Sequence, residues 1–156
     1  MADDRYVEKD SYEERVLNVK RVSKKTKGGN KIGFTALVVV GNKSGSVGAG
    51  LGKAVDVRSA ISKGINLARK DLQDVPLKNT TVPHEVQSKY RGSMILIKPA
   101  PEGSGIIAGG VIRHVMELAG INDVSAKMLG SSNKLNNVKC TLVALNKLKG
   151  KTNGTK

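Results

Sequence analysis

The spacing of apolar residues changes along the first half of the chain, and each change predicts a different element. Residues 16–22 and 34–41 are rich in β-branched side chains and predict two strands, and residues 47–52 predict a short third strand. From Val57 to Leu72 the apolar residues recur at helical spacing, and Asp56 is placed to cap that helix at its N-terminus. The first half therefore predicts a β-β-β-α order.

A second pattern begins after the segment Gln73 to Pro83, which carries two prolines and no helical period. Two strands are predicted to turn at Gly92, and a glycine-dense loop leads into a helix whose apolar residues run from Ala108 to Ala119. Gly120 should end that helix, with Ile121 making the hydrophobic contact of a C-terminal cap.

A strand over residues 123–129 and a final helix complete this half, which predicts a β-β-α-β-α order. The residues of the last helix expected to face inward are Leu135, Val138, Leu142, Leu145 and Leu148. The fold class predicted for the whole chain is α+β. The predicted divisions are an acidic arm (1–15), a first domain (16–74), a linker (75–83), a second domain (84–149) and a basic tail (150–156).

The charge of the chain is strongly positive and unevenly placed. Lys and Arg number 27 against 13 Asp and Glu, which gives a formal net charge of +14. Residues 20–31 contain six basic side chains and no acid, and seven lysines follow Asp123 without any acid. Such a surplus repels itself unless an anion neutralises it. Nucleic acid is the leading partner by this reasoning, followed by an anionic membrane and then by a soluble basic enzyme.

The glycine-rich stretches do not satisfy either nucleotide-binding pattern. A phosphate-binding loop requires Ser or Thr after Gly-Lys, but Ala54 follows Lys53; the dinucleotide pattern fails at its third glycine around both Gly48 and Gly103. Alternating Gly48, Gly50 and Gly52 instead predict a strand face open to another backbone. Gly109 and Gly110 fit either close helix packing or an anion site at a helix start.

No other catalytic or targeting signal is evident. The two histidines, His84 and His114, lie in different elements, and the latter is expected at the surface or in a cap. Cys140 is the single cysteine and is expected in the core. The acidic start has no apolar leader pattern, and no apolar run reaches the roughly 20 residues of a membrane span. We therefore expect a cytoplasmic protein without catalytic residues, metal, cofactor, membrane association or small-molecule substrate.

The basic segment between the first two strands is the best candidate binding site, with a plain solvated turn as the alternative. Gly28 and Gly29 can adopt positive φ and let the backbone press against a phosphate. Proteins that bind single-stranded nucleic acid stack its bases on aromatic side chains. This chain has only three Tyr and one Phe, so folded, largely double-stranded RNA is the favoured partner. The candidate RNA-binding residues are Lys20, Arg21, Ser23, Lys24, Lys25, Thr26, Lys27, Gly28, Gly29, Lys31, Lys53 and Arg58.

Several stretches resemble the fifth protein of the bacterial small ribosomal subunit. They are RVSKKTKGGNKIGFTALVVVGNKSGSVGAGLGKA, VPHEV, ILIKPAPEGSGIIAGG, ELAGINDVSAK and GSSNKLNNV, in matching order and spacing over about residues 14–149. The resemblance implies a double-stranded-RNA-binding-like first domain and a second domain of a type shared with some ATP-using enzymes and translation factors.

The resemblance also implies partners and a place on the ribosome. These are small-subunit ribosomal RNA, the fourth and eighth proteins of that subunit, and a position near where messenger RNA enters, with support for decoding accuracy. Residues 21–31 match the RNA-inserting hairpin of that family, close to where spectinomycin acts. Ala49 and Leu51 stand where the family commonly has aromatic residues, and Arg58 and Lys134 stand where it commonly has prolines.

Two other functions compete with this interpretation. A free-standing regulator that binds duplex RNA would carry the same basic hairpin, but it would not sediment with ribosomal subunits. A small ATP-using enzyme built on the second domain would instead bind ATP as the isolated chain.

Overall fold

The computed structural model of the chain describes residues 12–148 and contains eight strands and three helices within that range. The elements of the first half are β1 (Glu13–Thr26), β2 (Gly29–Gly41), β3 (Ser46–Ala54), α1 (Val57–Lys70) and β4 (Gln73–Asp74). Those of the second half are β5 (Val86–Tyr90), β6 (Ser93–Pro99), β7 (Ile106–Ile107), α2 (Gly110–Ala119), β8 (Val124–Met128) and α3 (Lys134–Lys147).

The predicted α+β class and the order of the main elements are confirmed. The sequence missed β4 and β7, because strands of two residues are too short to show a period. The first strand begins at Glu13, so its start overlaps the predicted acidic arm. Residues 1–11 of that arm and the whole predicted tail, 150–156, lie outside the described residues.

The first sheet has the order β1-β2-β3-β4, with each neighbouring pair antiparallel, and α1 packs on one of its faces. The predicted glycine face of β3 is confirmed, because it is the face that α1 contacts. A Cβ atom at Gly50 would overlap the carbonyl oxygen of Gly64, and one at Gly52 would overlap that of Ala60. Glycine is required here by the close approach of helix backbone to strand backbone.

The second sheet has the order β5-β6-β8-β7; β7 runs parallel to β8, whereas the other pairs are antiparallel. Helix α3 packs against β5 and β6, and α2 contacts α3 and β7. The inward-facing residues Val138, Leu142 and Leu145 of α3 are buried as predicted. Cys140 is also buried, with its thiol 3.3 Å from the carbonyl oxygen of Ser88.

The two halves share one hydrophobic core. Leu37, Val39 and Val47, which point away from α1, belong to the same buried cluster as Val115 and Leu118 of α2. The predicted linker contributes Val75 and Val82 to that cluster, at 7% and 0% exposure. Because Val75 and Val82 anchor this segment in the shared core, it holds the two sheets together and does not separate them as a flexible connector would.

Candidate nucleic-acid interface

The strands β1 and β2 continue well beyond the rest of the first sheet. β3 stops pairing at Phe34 with Ala54, but β1 and β2 remain paired to Thr26 and Gly29. All side chains from 19 to 32 are exposed. We call residues 20–32 the basic ribbon. A two-stranded ribbon without a core is marginally stable in water, so an external partner would add to its order.

The tip of the ribbon is closed by Lys27 and Gly28. The Thr26 hydroxyl donates a hydrogen bond to the carbonyl oxygen of Gly29 at 2.8 Å, so it stabilises the turn from within. Gly29 has a φ of 124°, whereas Gly28 is not among the positive-φ residues. A Cβ at either glycine would meet nothing within 4 Å. Of the two glycines, only Gly29 uses the conformational freedom expected of both, and the backbone of the tip is open to approach.

Register sorts the basic side chains onto the two sides of the ribbon. Lys24 lies directly opposite Lys31, and four residues away along β1, Lys20 lies opposite Thr35, which lies opposite Lys53 on its other side. Residues directly opposite share a face, so these four lysines lie on one side. Arg21, Ser23 and Lys25 alternate with them and lie on the other side.

The cations of the basic ribbon have no acidic partner among residues 12–148. The ion pairs in this part of the chain involve Arg15, Lys43, Arg69 and Arg113, and none involves a residue from 20 to 32. The next acid along the chain, Asp56, caps α1 through the amide of Ser59 at 3.2 Å. Hydrogen bonding from Ser59 lowers the pKa of Asp56. Like charges placed face to face without compensation favour an external anion.

The remaining predicted site residues lie beside the ribbon. Lys53 is exposed near the end of β3, and Arg58 is exposed in the first turn of α1. Two lysines outside that set also lie beside the ribbon. Lys63 of α1 lines the same cleft as Lys24 and Lys53, and Lys134 shares a surface groove with Lys20. The sequence placed Lys63 on the polar side of its helix, but periodicity does not show which strand that side adjoins.

The glycine-dense loop of the second half binds an anion that belongs to the chain itself. The Asp123 carboxylate accepts the amides of Gly103 and Gly105 at 3.1 and 2.9 Å, and Asp123 is 5% exposed. A hydrogen bond from Thr80 and then the amide of Gly105 lower the pKa of this carboxyl. These two amides of the loop are therefore already occupied by a carboxylate of the same chain.

The start of α2 follows the same loop. Gly109 is the N-cap and makes no side-chain cap, and a Cβ there would lie 2.6 Å from the terminal methyl of Met128. Gly109 therefore packs against Met128, whose flexible side chain could move to admit a Cβ atom. His114 is half-buried and its Nδ1 accepts from Arg15 at 3.0 Å, so its expected place at the surface or in a cap is wrong.

The second sheet presents a basic face away from its helices. Leu96 lies opposite Lys127, Met94 lies opposite Lys89, and Lys98 follows on the same face of β6. The three lysines are exposed, whereas Met94 and Leu96 are partly buried. On α3, Lys139 and Lys147 are also exposed, on the opposite side from the inward-facing residues.

A groove of about 470 Å³ lies between the first sheet and α3, beside the positions where the chain departs from the resembled pattern. Ala49 and Leu51 line it, facing Leu135 and Leu142. Ala49 and Leu51 therefore border open space between the two halves.

The described residues contain no group of three or more His, Cys, Asp or Glu side chains that could hold a metal ion. No helix between residues 12 and 148 is long and apolar enough to cross a membrane.

Both halves of the chain match known protein families. Residues 12–76 match the family described as ribosomal protein S5, N-terminal domain. Residues 88–153 match the family described as ribosomal protein S5, C-terminal domain. The two matches occur in the order of the two sheets and together span most of the sequence.

Proposed function

The chain belongs to the ribosomal protein S5 family, a structural and non-enzymatic family of the small ribosomal subunit, and on this premise we propose that its basic ribbon binds ribosomal RNA. The observation that carries the proposal is the set of lysines from 20 to 31, which are exposed and have no ion-pair partner among residues 12–148. Phosphates would supply the missing charge.

The geometry of the ribbon supports a folded RNA target. Cations lie on both sides, so the ribbon can enter a groove or a junction and meet phosphates on either flank. The open backbone at Gly28 and Gly29 allows close approach at the tip. Lys53, Arg58 and Lys63 extend the basic surface toward α1, and Lys134 extends it toward the second half.

We further propose that the second half contacts RNA or neighbouring ribosomal proteins through its open sheet face. Lys89, Lys98 and Lys127 surround partly buried Met94 and Leu96 on that face. The proposed protein neighbours are the fourth and eighth proteins of the subunit, and the proposed position is near where messenger RNA enters. There, in the cytoplasm, the chain would support decoding accuracy without catalysis of its own.

Sedimentation tests the proposal directly. Tagged protein in cells of its source should migrate with small subunits in a sucrose gradient, and Lys24→Ala, Lys25→Ala and Lys27→Ala combined should reduce that fraction. The matched control replaces the same three lysines with Arg, which retains the charge. Migration of the wild type with duplex RNA but away from subunits would instead support a free-standing regulator. Binding of ATP by the purified chain would support the enzyme hypothesis.

A further inference from the structure

A cleft of about 470 Å³ lies between the basic ribbon and the end of β3. Its apolar lining includes Val22 from the ribbon and Val55 from the connection to α1. Val22 lies opposite Gly33, so its side chain is on the side of the ribbon that carries Lys24 and Lys31. The two side chains are 46% and 73% exposed, respectively. We call these two residues the apolar floor.

Four lysines border the apolar floor. Lys24 and Lys31 come from the ribbon, Lys53 from β3 and Lys63 from α1. All four are exposed, none forms an ion pair with another residue between 12 and 148, and no acidic side chain lines the cleft. The site therefore combines apolar surface with positive charge, and its complement is an anion that also has an apolar face.

A regular RNA duplex satisfies only half of this description. Its phosphates can pair with the lysines, but the faces of its bases are stacked inside the helix and cannot cover the apolar floor. A nucleotide turned out of the stack offers both parts, because its base has an exposed face and its backbone retains the phosphates on either side.

We propose that the cleft holds the base of a nucleotide displaced from its RNA helix, with the flanking phosphates bound by the four lysines. The inference rests on the proposed function and deepens it, since Lys24, Lys31 and Lys53 already belong to the candidate RNA interface. An acidic protein segment with apolar side chains would also match the cleft chemically. Because the cleft is continuous with the candidate RNA interface, RNA is the favoured occupant. The aliphatic side chains of the floor cannot form hydrogen bonds with the edge of a base. The cleft should therefore bind any displaced base, whichever of the four it is.

The test compares two short RNA duplexes that differ by one unpaired, bulged nucleotide, with 2-aminopurine at the bulge to report unstacking. Full-length protein should bind the bulged RNA about five-fold more tightly than the perfect duplex, because only the bulge covers apolar surface. Fluorescence of the 2-aminopurine should change on binding. Replacing the floor with Val22→Thr and Val55→Ser should abolish the preference and leave duplex affinity unchanged.

The matched control is Val16→Ser with Val19→Thr, since these valines are 41% and 40% exposed on β1 and do not line the cleft. The control should retain the preference for the bulge, and all variants should keep the wild-type melting temperature. Equal affinity of the wild type for both RNAs, unaffected by the floor variant, would overturn the inference and leave the proposed function standing. Failure to bind either RNA at low salt would overturn both.

Crosslinking in the assembled particle separates the two classes of occupant. A benzophenone amino acid introduced at position 55 should crosslink to RNA in purified small subunits. An adduct with protein alone would assign the cleft to an acidic protein segment and overturn the inference.

Discussion

The backbone amide of Lys43 donates to the carbonyl oxygen of Leu118 at 2.9 Å and so joins the two halves of the chain. Lys43 lies in the turn between β2 and β3, and Leu118 lies in the last turn of α2. Gly45 donates to Ala119 at the same distance, so the turn of one sheet satisfies carbonyls at the end of a helix in the other half. Together with the shared core, these bonds make the halves one packed unit.

Adding a side chain at Gly41 should destabilise this junction between the two halves. A Cβ atom there would lie 2.7 Å from the carbonyl carbon of Leu118, whose oxygen already accepts the amide of Lys43. Gly41→Ala should destabilise the protein by about 2 kcal/mol or more. The control Gly28→Ala, where a Cβ meets open space, should change stability by less than about 0.5 kcal/mol.

Calorimetry of both variants checks this prediction. Because the halves share a core, the wild type should unfold in a single transition, and Gly41→Ala should lower its midpoint as a whole. Two separated transitions in the wild type would contradict the shared unit.

The salt dependence of RNA affinity should depend on how many lysines of the basic ribbon contact phosphates. Neutralisation of about four to six phosphates predicts a slope of log K against log salt of about −3 to −5. Lys24→Ala, Lys25→Ala and Lys27→Ala combined should make that slope shallower by about 2 to 3. The corresponding Arg variants should retain it. Titrations at four or more salt concentrations measure the slope, and an unchanged slope in the Ala variant would remove the ribbon from the interface.

The two glycines at the tip of the ribbon should differ in their tolerance of substitution. Gly29 has a φ of 124°, which a β-branched residue adopts only at a cost of about 1 to 3 kcal/mol. Gly29→Val should therefore distort the tip and weaken RNA binding more than Gly28→Val does. Both variants should melt close to the wild type, because the tip lies outside the core. RNA titrations and thermal melts compare them, and equal loss of binding and stability would show that the glycines serve the fold.

Acid stability should depend on Asp123. Hydrogen bonds from Thr80 and from the amides of Gly105 and Gly103 lower its pKa in the folded chain. A lowered folded pKa means that the stabilisation is complete above the unfolded value, about 3.9, and is lost as the pH falls through the folded value. Asp123→Asn should flatten the acid limb of a plot of stability against pH.

Thr80→Val provides the matched comparison, because it removes a hydrogen bond but keeps the carboxylate. It should move the acid limb to higher pH, since the pKa of Asp123 is then lowered less. Denaturant melts between about pH 2 and 6 measure both curves. Superimposable acid limbs for the wild type and Asp123→Asn would contradict the assignment.

Local sequence predicted the elements well where a pattern was long. The β-branched runs of β1 and β2, the helical spacing before Leu145 and the alternating glycines of β3 all appear as expected. Val57 shows the limit, because its helical spacing placed it inward, but it is 37% exposed at the first turn of α1. The end of a helix can extend beyond the sheet on which its middle packs. Apolar periodicity alone does not show where that contact stops.

By itself, the sequence determined the α+β class, the order of the main elements and the concentration of positive charge between the first two strands, because periodicity and charge are properties of neighbouring residues. Tertiary structure decided which surfaces meet. It placed Val75 and Val82 of the presumed linker in a shared core, and it gave the amides of Gly103 and Gly105 to Asp123. It also brought Lys63 to the ribbon. These pairings join residues far apart in the chain, and a local pattern specifies the face of an element without specifying its partner.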